Sequence, residues 1–273
     1  MRLGKIFVLS AVILICGLSV AFAADPDSVV VEKERGLIDW SENYIEATGM
    51  AVAPKGMEGA QGRALARRGA IVDLQRNLLE FLNGVQIDSR TVMDDFMAED
   101  RVRSEVHGMI KGVELLKGEW DGESYTVTGR IKLADLRVII APSIHVDKVI
   151  IEEEKKQPKP KSTAKYTGLI IDVRHLPLVP ALTFRVFDES GRALYGMEFA
   201  DQASFLQSGI CSYYNNINYA KGEIFVAPNP ISTKAVKLST SNVDIVIPDS
   251  AASMVRGSSY DFRKECKVII IVK

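Results

Sequence analysis

The chain has 273 residues, of which 47% are apolar and 25% charged, with a formal net charge of −1. That is ordinary composition for a folded protein, and it excludes disorder and collagen-like repeats. The near-neutral charge argues against an electrostatic nucleic-acid binder, so no nucleic-acid partner is expected. No cluster of residues identifies an activity.

The N-terminus reads as a secretory signal over residues 1–23. Arg2 and Lys5 precede an apolar run over 6–20, and Ala21-Phe22-Ala23 supplies the small residues of a cleavage site before the acidic Asp25-Pro26-Asp27. An uncleaved anchor is the alternative, because the run approaches the lower limit for a spanning helix. Cleavage leaves 250 residues, and losing Arg2 and Lys5 takes the net charge to −3. No later apolar run reaches the roughly 18 residues of a span, so no membrane anchor is expected after cleavage. Cys16 follows Ile15, where a lipid-modification site takes a small residue, so lipidation is not expected.

Residues 152–165, rich in Glu, Lys and Pro, cannot bury a core and read as a charged linker. They separate a first domain at 36–150 from a second at 166–273. In the first, short apolar runs at 37–40 and 44–48 flank Ser41-Glu42-Asn43 and suggest a hairpin. After Pro54, Gly56 and Gly59 a long helix is expected from Ala60. Ala64, Ile71, Leu74, Leu78, Phe81 and Leu82 recur at three- and four-residue steps, and Asn83-Gly84 suggests a left-handed cap. A shorter helix is expected over 99–107. Asp121-Gly122 predicts a type I′ hairpin between strands at 113–120 and 124–133. The expected fold class is α+β, with a long helix on a small, mainly antiparallel sheet.

The second domain reads as strand-rich α+β. The runs at 169–173 and 268–272 are almost continuously apolar, as central strands covered on both faces would be. Asp188-Glu189-Ser190-Gly191 predicts a hairpin between 183–187 and 193–195. Asp201 and Asp249 are expected to cap helices at 202–208 and 250–256.

Chemistry is sparse. Gly56, Gly59 and Gly62, followed by Arg63, Arg67 and Arg68, suit an anion or an acidic partner surface, although no phosphate-loop motif is present. His107, His145 and His175 lack metal-ligand spacing, and G-x-S-x-G is absent. Asp172 with His175, Asp94 with Asp95, and Glu99 with Asp100 are the remaining acid–base pairs, each with a plain structural reading. No catalytic residue, metal or cofactor is expected. Tyr213, Tyr214, Asn215, Asn216 and Tyr219 combine aromatic faces with amides and form a candidate contact surface for a glycan, peptidoglycan included. Once Cys16 is removed, Cys211 and Cys266 remain, and two readings stay open. One is a disulfide closing about 55 residues, worth roughly 4 kcal/mol in chain entropy; the other is two buried thiols.

Ile45-Glu46-Ala47-Thr48-Gly49, the alanine-rich Ala64-Leu65-Ala66-Arg67-Arg68-Gly69-Ala70, and Asn83-Gly84-Val85-Gln86-Ile87-Asp88-Ser89 together resemble the lipoprotein-20 type domain. That domain is similar to the N-terminal domain of the flagellar assembly protein T. Val106-His107-Gly108-Met109-Ile110-Lys111-Gly112 and Tyr125-Thr126-Val127-Thr128 continue the pattern, so the resemblance spans about residues 40–135. It implies an exported envelope protein of a Gram-negative bacterium, with envelope or flagellar proteins as partners, and it carries no catalytic residue. The chain departs from the lipoprotein members in lacking a lipidation cysteine.

Overall fold

A computed structural model describes residues 28–150, 152 and 164–273, apart from Glu34, Glu58 and Thr240. The expected signal segment and most of the expected linker lie outside the described residues.

The fold is α+β. Its first half is a five-stranded antiparallel sheet in the order β1-β2-β3-β5-β4. The strands are β1 (Val30–Lys33), β2 (Gly36–Asp39), β3 (Tyr44–Val52), β4 (Glu114–Trp120) and β5 (Ser124–Lys132). Helix α1 (Gly59–Asn83) lies across one face, and Ala66, Ala70, Leu74 and Leu78 are buried against it. The alternation along β5 matches this, with Tyr125, Val127 and Ile131 turned inward. Small residues set the approach distance. A Cβ on Gly49 would lie 2.2 Å from the Ala70 carbonyl and 2.1 Å from the Leu74 nitrogen, so β3 and α1 meet backbone to backbone.

Strand β3 has nine residues, but β2 pairs only with Tyr44–Ala47. Beyond that point α1 side chains replace the missing strand. Asn77 Nδ2 donates to the Thr48 carbonyl at 2.7 Å, and the Met50 N–H donates to Asp73 Oδ2 at 3.0 Å. The Thr48 carbonyl and the Met50 N–H on this edge are thereby satisfied within the chain.

Both expected hairpins of the first half form, with differences at the turns. The loop after Trp120 has one positive φ, at Gly122, rather than the two of a type I′ turn. It is held by Asp121, whose carboxylate accepts from the Glu123 and Ser124 N–H groups. Gly84 is not left-handed either; Gly84 and Val85 donate to the Phe81 and Leu82 carbonyls, so α1 ends in a tightened turn. Helix α2 (Met93–Phe96) follows, and α3 (Asp100–Lys111) extends four residues past its expected end. Strand β5 gives way at Leu133 to α4 (Leu133–Ile140), an element the periodicity did not suggest.

The second half holds two sheets. In the first, β6 (Gly168–Asp172), β9 (Ser212–Tyr214), β10 (Pro230–Lys234) and β13 (Val268–Ile271) run parallel in the order β10-β6-β13-β9. The two apolar runs are its central strands. Leu169, Ile171, Val268 and Ile270 face the main core. Ile170, Ile269 and Ile271 face a smaller cluster with Ala220 and Val226. The other sheet has the order β11-β12-β7-β8, from β7 (Val186–Phe187), β8 (Ala193–Tyr195), β11 (Lys237–Leu238) and β12 (Ile245–Val246). Helices α5 (Gln202–Ser208), α6 (Ile217–Gly222) and α7 (Asp249–Gly257) complete this half. Asp201 is the N-cap of α5, but its side chain makes no capping bond. Asp249 is the first residue of α7 and exchanges hydrogen bonds with Glu189 instead.

The described residues of the two halves pack against each other. One buried cluster contains Trp40, Leu133 and Ile140 from the first half together with Leu182, Phe205 and Tyr213 from the second. Hydrogen bonds cross the seam as well. Leu182 and Thr183 donate their N–H groups to the Gln86 and Ile87 carbonyls, and Ser41 Oγ donates to the Tyr213 carbonyl at 2.7 Å. Arg137 on α4, 3% exposed, donates to Asn43 Oδ1 and to the carbonyls of Leu206 and Gln207.

Candidate functional site

The tyrosine segment is divided between core and surface. Tyr213, on β9, is buried, stands edge-on to Trp40, and bonds Ala181 through its hydroxyl. It cannot serve as a contact surface, because its ring fills the seam. Tyr214 and Tyr219 remain half-buried and exposed respectively, with rings 5.1 Å apart. Asn216 caps α6, accepting from the Asn218 and Tyr219 N–H groups, while Asn215 Nδ2 donates to the Ser28 carbonyl. Both amides thus have structural partners, and the glycan surface loses its central aromatic.

Cys211 and Cys266 are free and buried rather than bridged. Burial raises the Cys211 thiol far above its ordinary range and pushes Cys266 up to about 11, against the opposing effect of the Tyr195 hydroxyl beside it. These are structural thiols in an apolar setting.

The acid–base pairs are also spoken for. Asp172 is gripped by Arg174 through both guanidinium contacts, at 2.7 and 2.9 Å, which lowers its carboxyl below the ordinary range. His175 beside it is exposed. Asp95 accepts from the Val92 N–H at the start of α2, and its neighbour Asp94 is exposed. Glu99 precedes α3 and accepts from Ser143 Oγ, while Asp100 pairs with Arg103. Among the described residues no three of His, Cys, Asp or Glu gather where they could hold a metal ion, and no helix is long and apolar enough to cross a membrane.

The basic start of α1 is different. Gly56 and Gly59 have φ of 77° and 69°, which a side chain would oppose, and they turn the chain into the helix. Gly62 serves packing instead, since a Cβ there would lie 2.0 Å from the Met57 carbonyl. Four residues separate Arg63 from Arg67, so the helix sets them on one face. Together with Gly59, Ala60, Ala64 and Trp120 they line an open hollow of about 480 Å³. Arg68, one residue on, lies outside it. All three arginines are exposed, and none has an ion pair among the described residues. The first turn of α1 carries no acidic side chain to offset the positive end of its dipole. Trp120 was invisible as a partner in the sequence, because 53 residues separate it from Arg67 and only the sheet brings β4 beside the helix start.

A protein-family model described as Treponema pallidum Tp0624, second domain, matches residues 168–273, from the first residue of β6 to the last residue of the chain. No curated protein matches the chain. The half that carries the parallel sheet and the short mixed sheet is therefore similar to that second domain of Tp0624.

Proposed function

We propose that the protein is exported and acts without catalysis, through contacts with proteins of the cell envelope, in envelope or flagellar assembly. The leader-like N-terminus and the resemblance of residues 40–135 to the lipoprotein-20 type domain support an envelope location. The observation that carries the contact reading is the hollow at the start of α1, where Arg63 and Arg67 flank Trp120 with no carboxylate partner among the described residues. Arginine and tryptophan are the side chains that most often dominate protein interfaces, and unpaired guanidinium groups favour a carboxylate-rich partner surface.

The test is photo-crosslinking in cells from a reactive residue placed at the exposed Ala64. Discrete crosslinks to envelope proteins are expected, lost in the Arg63→Glu, Arg67→Glu double variant and kept in Arg68→Glu. Crosslinks that survive the double variant, or a product retained in the cytoplasm, would overturn the reading.

A further inference from the structure

Strand β4 is an outer strand of the five-stranded sheet, and every residue from Glu114 to Glu119 on it is exposed. The Asp121 N–H bonds the Ser124 carbonyl across the hairpin, so antiparallel alternation turns the backbone groups of Glu119 and Lys117 towards β5 as well. Those of Gly118 and Trp120 point outward, and among the described residues nothing bonds them there. On β3 the Asp73 and Asn77 side chains of α1 take up such groups; on β4 no side chain does so among the described residues.

Side chains divide by face. Gly118 and Trp120 stand opposite Val127 and Tyr125, which turn inward, so they lie on the helix side of the sheet. Lys117 and Glu119 stand opposite Thr128 and Thr126 on the other side, where they pair with each other while remaining 48% and 63% exposed. Leu115 and Leu116 are exposed at a bulge that ends the regular edge.

An uncovered edge is a template for another strand, and a lysine on it is a common guard. Here the guard has a matching partner in the same strand, because Leu116-Lys117-Gly118-Glu119-Trp120 is self-complementary about Gly118. Laid antiparallel on a second copy about that residue, the strand sets Lys117 opposite the copy's Glu119, Glu119 opposite its Lys117, and Leu116 opposite its Trp120. Gly118 then faces Gly118 as a hydrogen-bonded pair with no side chain at the axis. Centring the pair on Lys117 or on Glu119 instead brings like charges face to face, which selects the Gly118 register.

We infer that two copies of the chain associate edge to edge through β4, joining their five-stranded sheets into one across a two-fold axis at Gly118. The alternation of charge and the match of Leu116 with Trp120 identify the occupant of this edge as a second copy. The inference uses the β4 edge and neither Arg63 nor Arg67, so it goes beyond the contact reading above.

The experiment is sedimentation equilibrium on the purified protein, with hydrogen exchange at the Gly118 amide followed as concentration rises. One strand from each copy makes a small interface, so a dimer with Kd of about 100 µM or tighter is expected. Lys117→Glu and Glu119→Lys each surround the axis with charges of one sign and should weaken the dimer at least about tenfold. Both side chains are exposed, so both variants keep the fold. Mixed in equal amounts, the two variants should pair with each other about as tightly as the wild type pairs with itself, because each then meets the opposite charge. A wild type still monomeric at about 1 mM would overturn the assignment. So would single variants that dimerise like the wild type, variants that fail to pair when mixed, or a dimer whose Gly118 amide exchanges as fast as the monomer's. None of these outcomes bears on the arginine hollow.

Discussion

Trp40 and Tyr213 meet edge to face, with ring centroids 5.5 Å apart and planes inclined at 67°, one ring from each half of the chain. The Tyr213 hydroxyl donates to the Ala181 carbonyl at 3.0 Å and accepts from the Ala181 N–H at 3.2 Å. This pair joins the two halves into one buried core. Tyr213→Ala should therefore cost about 3–5 kcal/mol, the range for deleting a core aromatic. Tyr213→Phe should cost about 1–2 kcal/mol, because the ring stays and the Ala181 backbone loses its partner. Urea unfolding checks both, and a tyrosine that mattered only at the surface would leave the midpoint unmoved.

Gly49 and Gly108 make opposite predictions for the same substitution. At Gly49 an added methyl runs into the α1 backbone, so Gly49→Ala should destabilise by about 3 kcal/mol or more. At Gly108, exposed inside α3, a Cβ meets nothing within 4 Å, and Gly108→Ala should stabilise by about 0.5–1 kcal/mol. Thermal melts of the two variants should move in opposite directions.

Asp188 is buried at the β7–β8 turn, with Arg256 on α7 at 2.9 Å and Arg192 at 2.8 Å. Burial opposes its charge, but the Arg192 N–H and the two guanidiniums outweigh that and hold its carboxyl below the ordinary range. Its folded value is depressed, so its contribution is complete above about pH 4, the unfolded value, and is lost as pH falls through the folded value. Asp188→Asn should cost about 3 kcal/mol at neutral pH, since it leaves the mostly buried Arg256 without its partner. That gap should narrow below pH 4, and a constant gap in an acid titration of stability would refute the pairing.

The cysteines give a chemical prediction. A thiol at about 11 is about 0.1% thiolate at pH 8, against about a quarter for an ordinary thiol, and Cys211 lies higher still. Iodoacetamide should therefore label the native protein at least about 100-fold more slowly than the urea-unfolded protein, with both sites labelled after unfolding. Rapid labelling of folded protein, or two sulfurs unavailable even when unfolded without reductant, would contradict free buried thiols.

Elements whose burial is decided along one stretch of chain were legible. The three- and four-residue spacing from Leu74 to Leu82 marked the buried stripe of α1, although Ala64 lies outside it and Ala66 and Ala70 inside. The β-branched runs at 169–173 and 268–272 became the central strands of the parallel sheet. Helix α4 escaped because Val138, Ile139 and Ile140 favour a strand locally; its packing against α3 and α5 decides the matter. Turn chemistry located both hairpins but misjudged the Gly122 turn, where the Asp121 side chain takes over the hydrogen bonding.

Residue types and their spacing were enough to determine an α+β chain, a long helix resting on an antiparallel sheet, and two central strands covered on both faces, because strand and helix periods act over a few residues. Which apolar surfaces meet was decided only in three dimensions. Trp40 finds Tyr213 across 173 positions, and Trp120 joins Arg63 and Arg67. A local pattern says that a face must be buried but not against what, and that choice turned a plausible binding tyrosine into part of the core.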